Sequence, residues 1–298
     1  WFDRCNSADN TFFPTGESNM DTWTDLYKTW WTYGTLPKLD SGISAVRSYF
    51  YGDASAVGPY WINQGASGWR FDVGDDVDGG TGSGNSGGYW SGFRTAINAI
   101  NPTHLSGTDP VMLGELWGDA SPWLVGDQWD SVMNYRFRSA VLSWMFDSCM
   151  TGSNGCGGTY FDDNDSNNSS SSGSIYAMDV DTFDNRLKSI QEDYPETSWY
   201  AMMNLMGSHD TNRVLWLLKK ISSDSDSVAL DKYKFLGIFQ FTYPGAPTIY
   251  YGDEAGINAA GVLANYKWED DPYNRAPFPW TDQGRTPNTS LQAHFRKL

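Results

Sequence analysis

The sequence predicts an α/β protein built as a β/α barrel, and two observations lead there. Short apolar runs of strand character alternate with longer amphipathic stretches, a spacing that implies parallel strands joined by crossover helices. Charged clusters also stand at the ends of three successive predicted strands: Asp72, Glu115 and His209-Asp210. Barrel enzymes gather catalytic groups at that rim from several strands, which decides for a barrel over a doubly wound sheet.

Residues 1–60 carry no strong periodicity and read as loops, with short helices around Trp23–Trp31 and Ser44–Tyr51. The first clear strand is Gly68–Val73, where Trp69, Phe71 and Val73 alternate with Arg70 and Asp72. That alternation sends both charged side chains to one face. Unpaired burial would be too costly for either, so the two must pair or face a cleft. Tyr89–Ile100 follows as a helix with Trp90, Phe93, Ile97 and Ile100 on one side, ended by Asn101-Pro102. Pro110–Glu115 reads as a strand apolar on both faces, as a buried parallel strand should be. A shorter strand at Asp130–Asn134 precedes a helix at Phe137–Phe146.

The Gly/Asp/Asn/Ser tract 151–174 reads as a surface insertion. Its Asp163, Asp165 and Asn167 are spaced like calcium-loop ligands, but the glycine and closing glutamate of such a loop are missing. A helix at Asp181–Asp193 turns Phe183, Leu187 and Ile190 inward. Trp199–Gly207 is expected as a strand, Ala229–Thr242 as a helix, Ala246–Tyr251 as another strand, and a helix from Thr289 runs to the end.

Composition narrows the chemistry. The 298 residues carry a formal charge of −16, and six of the 36 acidic residues are Glu, leaving 30 Asp. Such a surface excludes nucleic acid and anionic membrane as partners, while a neutral substrate is compatible with it. No apolar run approaches a membrane span. Aromatic content reaches 16%, with 15 Trp and 17 Tyr, and such rings serve equally as core and as platforms for flat apolar faces such as sugar rings. Cys149 and Cys156 bracket a short loop and could form a bridge in an oxidising compartment or remain thiols. Cys and His show no metal-ligand spacing, so no metal and no cofactor are expected from this segment.

Three carboxylates on one rim, with Arg70 and His209 nearby, suit acid/base and nucleophilic work. Glycoside hydrolysis needs one ionised carboxylate and one protonated carboxylic acid. Arg70 would keep Asp72 ionised, making it the better nucleophile, while Glu115 has no adjacent cation and is the better acid. A histidine such as His209 more often donates a hydrogen bond in such a cleft than reacts.

Gly-Trp-Arg-Phe-Asp-Val (68–73), Gly-Glu-Leu-Trp (114–117) and Ser-His-Asp-Thr (208–211) resemble, in order and spacing, three motifs of the α-amylase family, glycoside hydrolase family 13. The runs 122–135, 245–254 and 271–280 resemble its neopullulanase, cyclomaltodextrinase and amylopullulanase branch. The resemblance implies that Asp72 is the nucleophile with Arg70 its partner, Glu115 the acid and then base, and Asp210 the third carboxylate, on sugar hydroxyls, with His209 beside it. Trp117 would flank the leaving group, and Asp271 and Arg275 would hold the next sugar on the non-reducing side. Retention would require the carboxyls of Asp72 and Glu115 to stand roughly 5–5.5 Å apart.

The implied function is hydrolysis of α-1,4 bonds, with α-1,6 bonds left open as a second target, in starch, pullulan or maltodextrins, at an extracellular location. A transglycosylase on α-glucans and a non-catalytic α-glucan-binding homologue are the alternatives. The family's Asp-x-x-x-Asn-His motif is not found, and Gly74-Asp75-Asp76 departs from the branch's usual Asn-Glu after the nucleophile. The expectation is therefore a fragment: 1–45 as the remnant of an inserted lobe, where Leu36-Pro37-Lys38-Leu39-Asp40 matches its closing motif, and 46–298 as barrel strands four to eight. Such a piece would be weakly active or inactive alone, and the calcium of full-length relatives is not expected to be held by it.

Overall fold

The computed structural model describes residues 36–80, 87–146, 177–221, 225–258, 262–264, 267–269 and 273–298. The helix expected at Trp23–Trp31, the three cysteines, the 151–174 tract and Asp271 lie outside these. The chain divides into two compact units: 1–113 with 125–129, and 114–124 with 130–298.

The first unit holds α1 (Ser44–Tyr51), α2 (Val57–Asn63), β1 (Gly68–Phe71), α3 (Gly74–Val77), α4 (Tyr89–Asn98) and most of β2 (Val111–Gly114). Trp90, Phe93 and Ile97 are buried on α4 at helical spacing, and Phe71 packs on Trp90 with ring centroids 4.4 Å apart. The start of α4 is held from a distance. The buried carboxylate of Asp78 accepts hydrogen bonds from the backbone N–H of Tyr89 at 2.6 Å and of Gly87 at 3.1 Å. β1 lies beside β2, with the Val111 N–H donating to the Ser67 carbonyl at 3.0 Å.

The second unit holds β3 (Ser131–Val132), α5 (Tyr135–Met145), α6 (Val180–Asp193), α7 (Glu196–Trp199), β4 (Met203–Leu205), α8 (Val214–Ile221), α9 (Asp226–Thr242), β5 (Ala246–Thr248), the antiparallel hairpin β6 (Val262–Ala264) and β7 (Lys267–Glu269), and α10 (Thr289–Phe295). Its neighbours run in chain order. The Met133 N–H donates to the Gly114 carbonyl, Met133 bridges Met203 in parallel, and β4 pairs in parallel with β5. No order reversal, the mark of a doubly wound sheet, occurs along these neighbours. Among the described residues the strands form short ladders and do not close into a barrel.

Buried amides tie these strands together. Asn134 donates from Nδ2 to Asn204 Oδ1 at 2.9 Å, and Gln240 of α9 donates to the carbonyls of Asn204 and Thr248. Outside the strands the core is Phe137, Val141 and Leu142 of α5 against Leu215, Leu217, Leu236 and Leu291.

Several sequence expectations need correction. β1 ends at Phe71 and not at Val73, because Asp72 and Val73 form a turn in which Val73 takes a left-handed φ of 47°. The strand at 111–114 is not buried on both faces: Met112 is buried while Val111 is 49% exposed. Trp199 closes a helix and not a strand, since Pro195 opens a fresh turn with Glu196 at its amino end. Only Ala246–Thr248 of the expected 246–251 strand is extended, because the chain turns by Gly252, at φ 80°. Helix α8 was hidden by its composition: Val214–Leu218 is apolar on every side and buried throughout, so it shows no period of its own.

Candidate active site

Every predicted reacting group follows the carboxyl end of a strand. In the first unit Asp72 stands one residue past β1, and Arg70 Nη1 donates to its Oδ1 at 2.5 Å. The Asp72 side chain is 72% exposed. Both residues line a cavity of about 630 Å³ together with Leu36, Lys38, Trp69 and Trp90. Directly after Asp72, Val73 holds a backbone conformation that β-branched residues rarely adopt, the kind of strain that collects at working sites. Gly74 then lets the chain pass the indole of Trp129, since a Cβ there would meet its ring at 2.4 Å. The carbonyl of Gly74 accepts from Trp90 Nε1 at 2.9 Å, which fixes the turn that aims Asp72.

The second unit gathers the rest. Glu115, just past β2, is 7% exposed and accepts from Trp117 Nε1 at 3.2 Å. The Trp117 indole stacks on Tyr135 at a centroid distance of 3.8 Å and an angle of 5°. Tyr135 opens α5 immediately after β3, and its hydroxyl lies 3.2 Å from Ser208 Oγ. Ser208 Oγ in turn accepts the backbone N–H of Asp210 at 3.1 Å. Burial pushes the Tyr135 phenol well above its ordinary range, the bond to Ser208 opposes that, and the negative charges of Asp210 and Glu115 add to the rise. Glu115 and Asp210 are thereby linked through Trp117, Tyr135 and Ser208. Changing Tyr135 to phenylalanine keeps the stack on Trp117 and removes the Ser208 bond. The expected cost is roughly 0.5–1.5 kcal/mol of stability in denaturant unfolding.

Asp210 is held from two sides. His209 Nε2 approaches its Oδ2 at 2.9 Å, and Arg275 Nη2 its Oδ1 at 3.3 Å. The backbone carbonyl of His209 accepts from Asn274 Nδ2 at 2.5 Å and from Arg275 Nε at 3.1 Å. His209 is thus a hydrogen-bonding neighbour of the Asp210 carboxylate. Of the eight residues singled out from sequence, Glu115, Trp117, His209, Asp210 and Arg275 belong to the second unit and Arg70 and Asp72 to the first. The eighth, Asp271, lies outside the described residues.

Sequence reasoning gave no role to Tyr135, Ser208, Arg213, Asp253 or Asn274. Each stands within three residues of a motif or in a run already quoted, so proximity to a strand end was the available signal. Arg213 is fully buried, donating from Nη1 to Asp253 Oδ1 at 2.8 Å and from Nε to the Asn274 carbonyl at 2.9 Å.

Residues 10–295 match the family described as the catalytic domain of α-amylase. The chain is 34% identical over 291 residues to an amylopullulanase of Thermoanaerobacterium saccharolyticum, an alignment covering 91% of this chain and 19% of that protein. It is 33% identical over 263 residues to neopullulanase 2 of Thermoactinomyces vulgaris, covering 88% and 34%. The solved structure of a cyclic α-maltosyl-(1→6)-maltose hydrolase from Arthrobacter globiformis superposes with a TM-score of 0.63 at 27% identity, covering 91% of this chain and 47% of that one. The chain thus spans less than half the length of each of these relatives. Such catalytic domains are (β/α)8 barrels, which accounts for the sequential parallel order seen here.

Proposed function

We propose that this chain, which belongs to the α-amylase family, carries the reacting carboxyls of a retaining glycoside hydrolase. Its substrates would be starch, pullulan or maltodextrins, cleaved at α-1,4 and also at α-1,6 bonds. Strands β1 to β5 would supply barrel strands four to eight, with residues 1–45 belonging to an inserted lobe. Asp72 attacks the anomeric carbon to form a covalent glycosyl–enzyme intermediate, with Arg70 orienting its carboxylate. Glu115 protonates the departing oxygen and then deprotonates the incoming water. Asp210 holds sugar hydroxyls, braced by His209 and Arg275, and Asp271 joins Arg275 on the next sugar toward the non-reducing end.

The single observation that carries this reading is the chain of contacts from Glu115 through Trp117, Tyr135 and Ser208 to Asp210, beyond the ends of successive parallel strands. The contrast between carboxyls supports the division of roles. Asp72 is open and paired with a guanidinium, while Glu115 is enclosed against an indole N–H. Trp117, stacked on Tyr135, offers a fixed aromatic wall for the leaving group. The names of the relatives, amylopullulanase and neopullulanase, support starch and pullulan as the substrates.

The test is stereochemical. In the full-length natural protein acting on maltodextrin or pullulan, anomeric proton NMR should show the α-anomer released first, with the β-anomer appearing only by mutarotation. Release of the β-anomer first, or no cleavage of either glucan, would overturn the reading.

A further inference from the structure

The second unit contains a buried ion pair that the proposed chemistry leaves unused. Arg213 follows Asp210 by three residues at the entry to α8, and its side chain is wholly enclosed. It reaches two segments at once. Nε donates to the carbonyl of Asn274, while Nη1 donates both to the carbonyl of Tyr251 at 2.6 Å and to Asp253 Oδ1. Its guanidinium carbon lies 4.2 Å from the ring centroid of Tyr250 and 4.8 Å from that of Tyr251. The other oxygen of Asp253 presses on the backbone before the motif: a Cβ on Gly207 would meet Oδ2 at 2.3 Å, so glycine alone allows this approach.

We propose that Arg213, anchored by Asp253, is a positioning residue that sets the His209–Asp210 segment against the Asn274–Arg275 segment. The inference rests on the reading that Asp210 acts on substrate. The connection is continuous: Arg213 fixes the main chain of Asn274, and the Asn274 side chain and Arg275 Nε grip the carbonyl of His209. Arg275 Nη2 then meets the Asp210 carboxylate. Both loops that touch Asp210 are therefore referred to one rigid, planar cation. Lysine keeps the charge, but its single nitrogen cannot serve carbonyls in two directions and also lie over the Tyr250 and Tyr251 rings. Misplacement of a substrate-holding group by about 1 Å costs on the order of 100-fold in rate.

The experiment is a double-mutant cycle in the full-length natural protein, with kcat and KM measured on an activated aryl maltoside and melting temperature recorded for every variant. Arg213→Lys should lower kcat roughly 10- to 100-fold with a smaller change in KM. In an Asp210→Asn background the same substitution should lower kcat less than about 2-fold, because its effect passes through the carboxylate already removed. Asn274→Ala, which leaves the Arg213 bond to the main-chain carbonyl in place, repeats the cycle should Arg213→Lys fail to fold. An equal fold-loss in both backgrounds, or no loss in either, overturns the proposal. If Glu115→Gln and Asp210→Asn both retain full activity, the assignment of the carboxyls falls first. If those two are impaired while Arg213→Lys acts multiplicatively, only the positioning role falls.

Discussion

Replacing Glu115 by glutamine should lower kcat on maltodextrin by roughly 10²- to 10⁴-fold, the range lost when a positioned general acid is removed. Glutamine matches the volume of the buried side chain and can still accept from Trp117 Nε1. The fold around Tyr135 should therefore stay intact, with little change in melting temperature. What glutamine cannot do is deliver a proton to the glycosidic oxygen. The discriminating measurement is the dependence on leaving group. On an aryl maltoside whose phenol departs without protonation, bond cleavage should be far less impaired than on maltodextrin, since an effect confined to one transition state shows only where that step needs the group. A variant whose first-turnover bond cleavage was impaired equally on both substrates would make Glu115 a structural residue, and one that kept wild-type rates on maltodextrin would remove it from the mechanism.

The parts of this site that were legible in the sequence are those whose physics is local. A charged residue ending an apolar run marks a strand end with few alternatives, because a charge inside the sheet would be too costly. Glu115, directly after Val111–Gly114, follows this pattern, whereas Asp72 was expected within its strand and stands just beyond its end. Helix α4 was equally plain, since one apolar face at helical spacing specifies it. What stayed hidden depends on contacts between distant segments. Tyr135 looks like one more aromatic until its ring is found on Trp117 and its hydroxyl on Ser208. Arg213 sits in a motif-adjacent position, yet its importance comes from Asp253 and Asn274, 40 and 61 residues further along. Helix α8 was missed for the opposite reason: it opens on five consecutive buried apolar residues, Val214–Leu218, and its polar positions come only at Lys219-Lys220 near its end. The end of β1 at Phe71 was missed because a valine at positive φ contradicts local preference, and such contradictions are expected near working groups.

Asp253 should make the protein less stable as pH rises from about 4 to about 6, the reverse of the usual behaviour of a paired aspartate. Burial pushes its carboxyl up to about 6 from an ordinary value of 3.8, although Arg213 pulls in the other direction. The sign follows from proton counting. Between those two values the folded chain retains a proton that the unfolded chain has released, so raising the pH favours unfolding; above about 6 both states are deprotonated and the effect is complete. At 1.36 kcal/mol per pH unit, the interval from 3.8 to about 6 amounts to roughly 3 kcal/mol. Other carboxylates contribute their own slopes, so the measurement is a difference: urea unfolding of the natural protein and of Asp253→Asn from pH 4 to 7. The stability of the variant minus that of the natural protein should increase by roughly 3 kcal/mol across the window, and a difference that does not change with pH would refute the assignment. Desolvation of a buried pair can exceed its mutual attraction, and replacing such a pair is often neutral or stabilising. Asp253 lies against Gly207 and bonds Arg213, which in turn bonds the main chain of Asn274, so its contacts fall on the segments that carry Asp210 and Arg275.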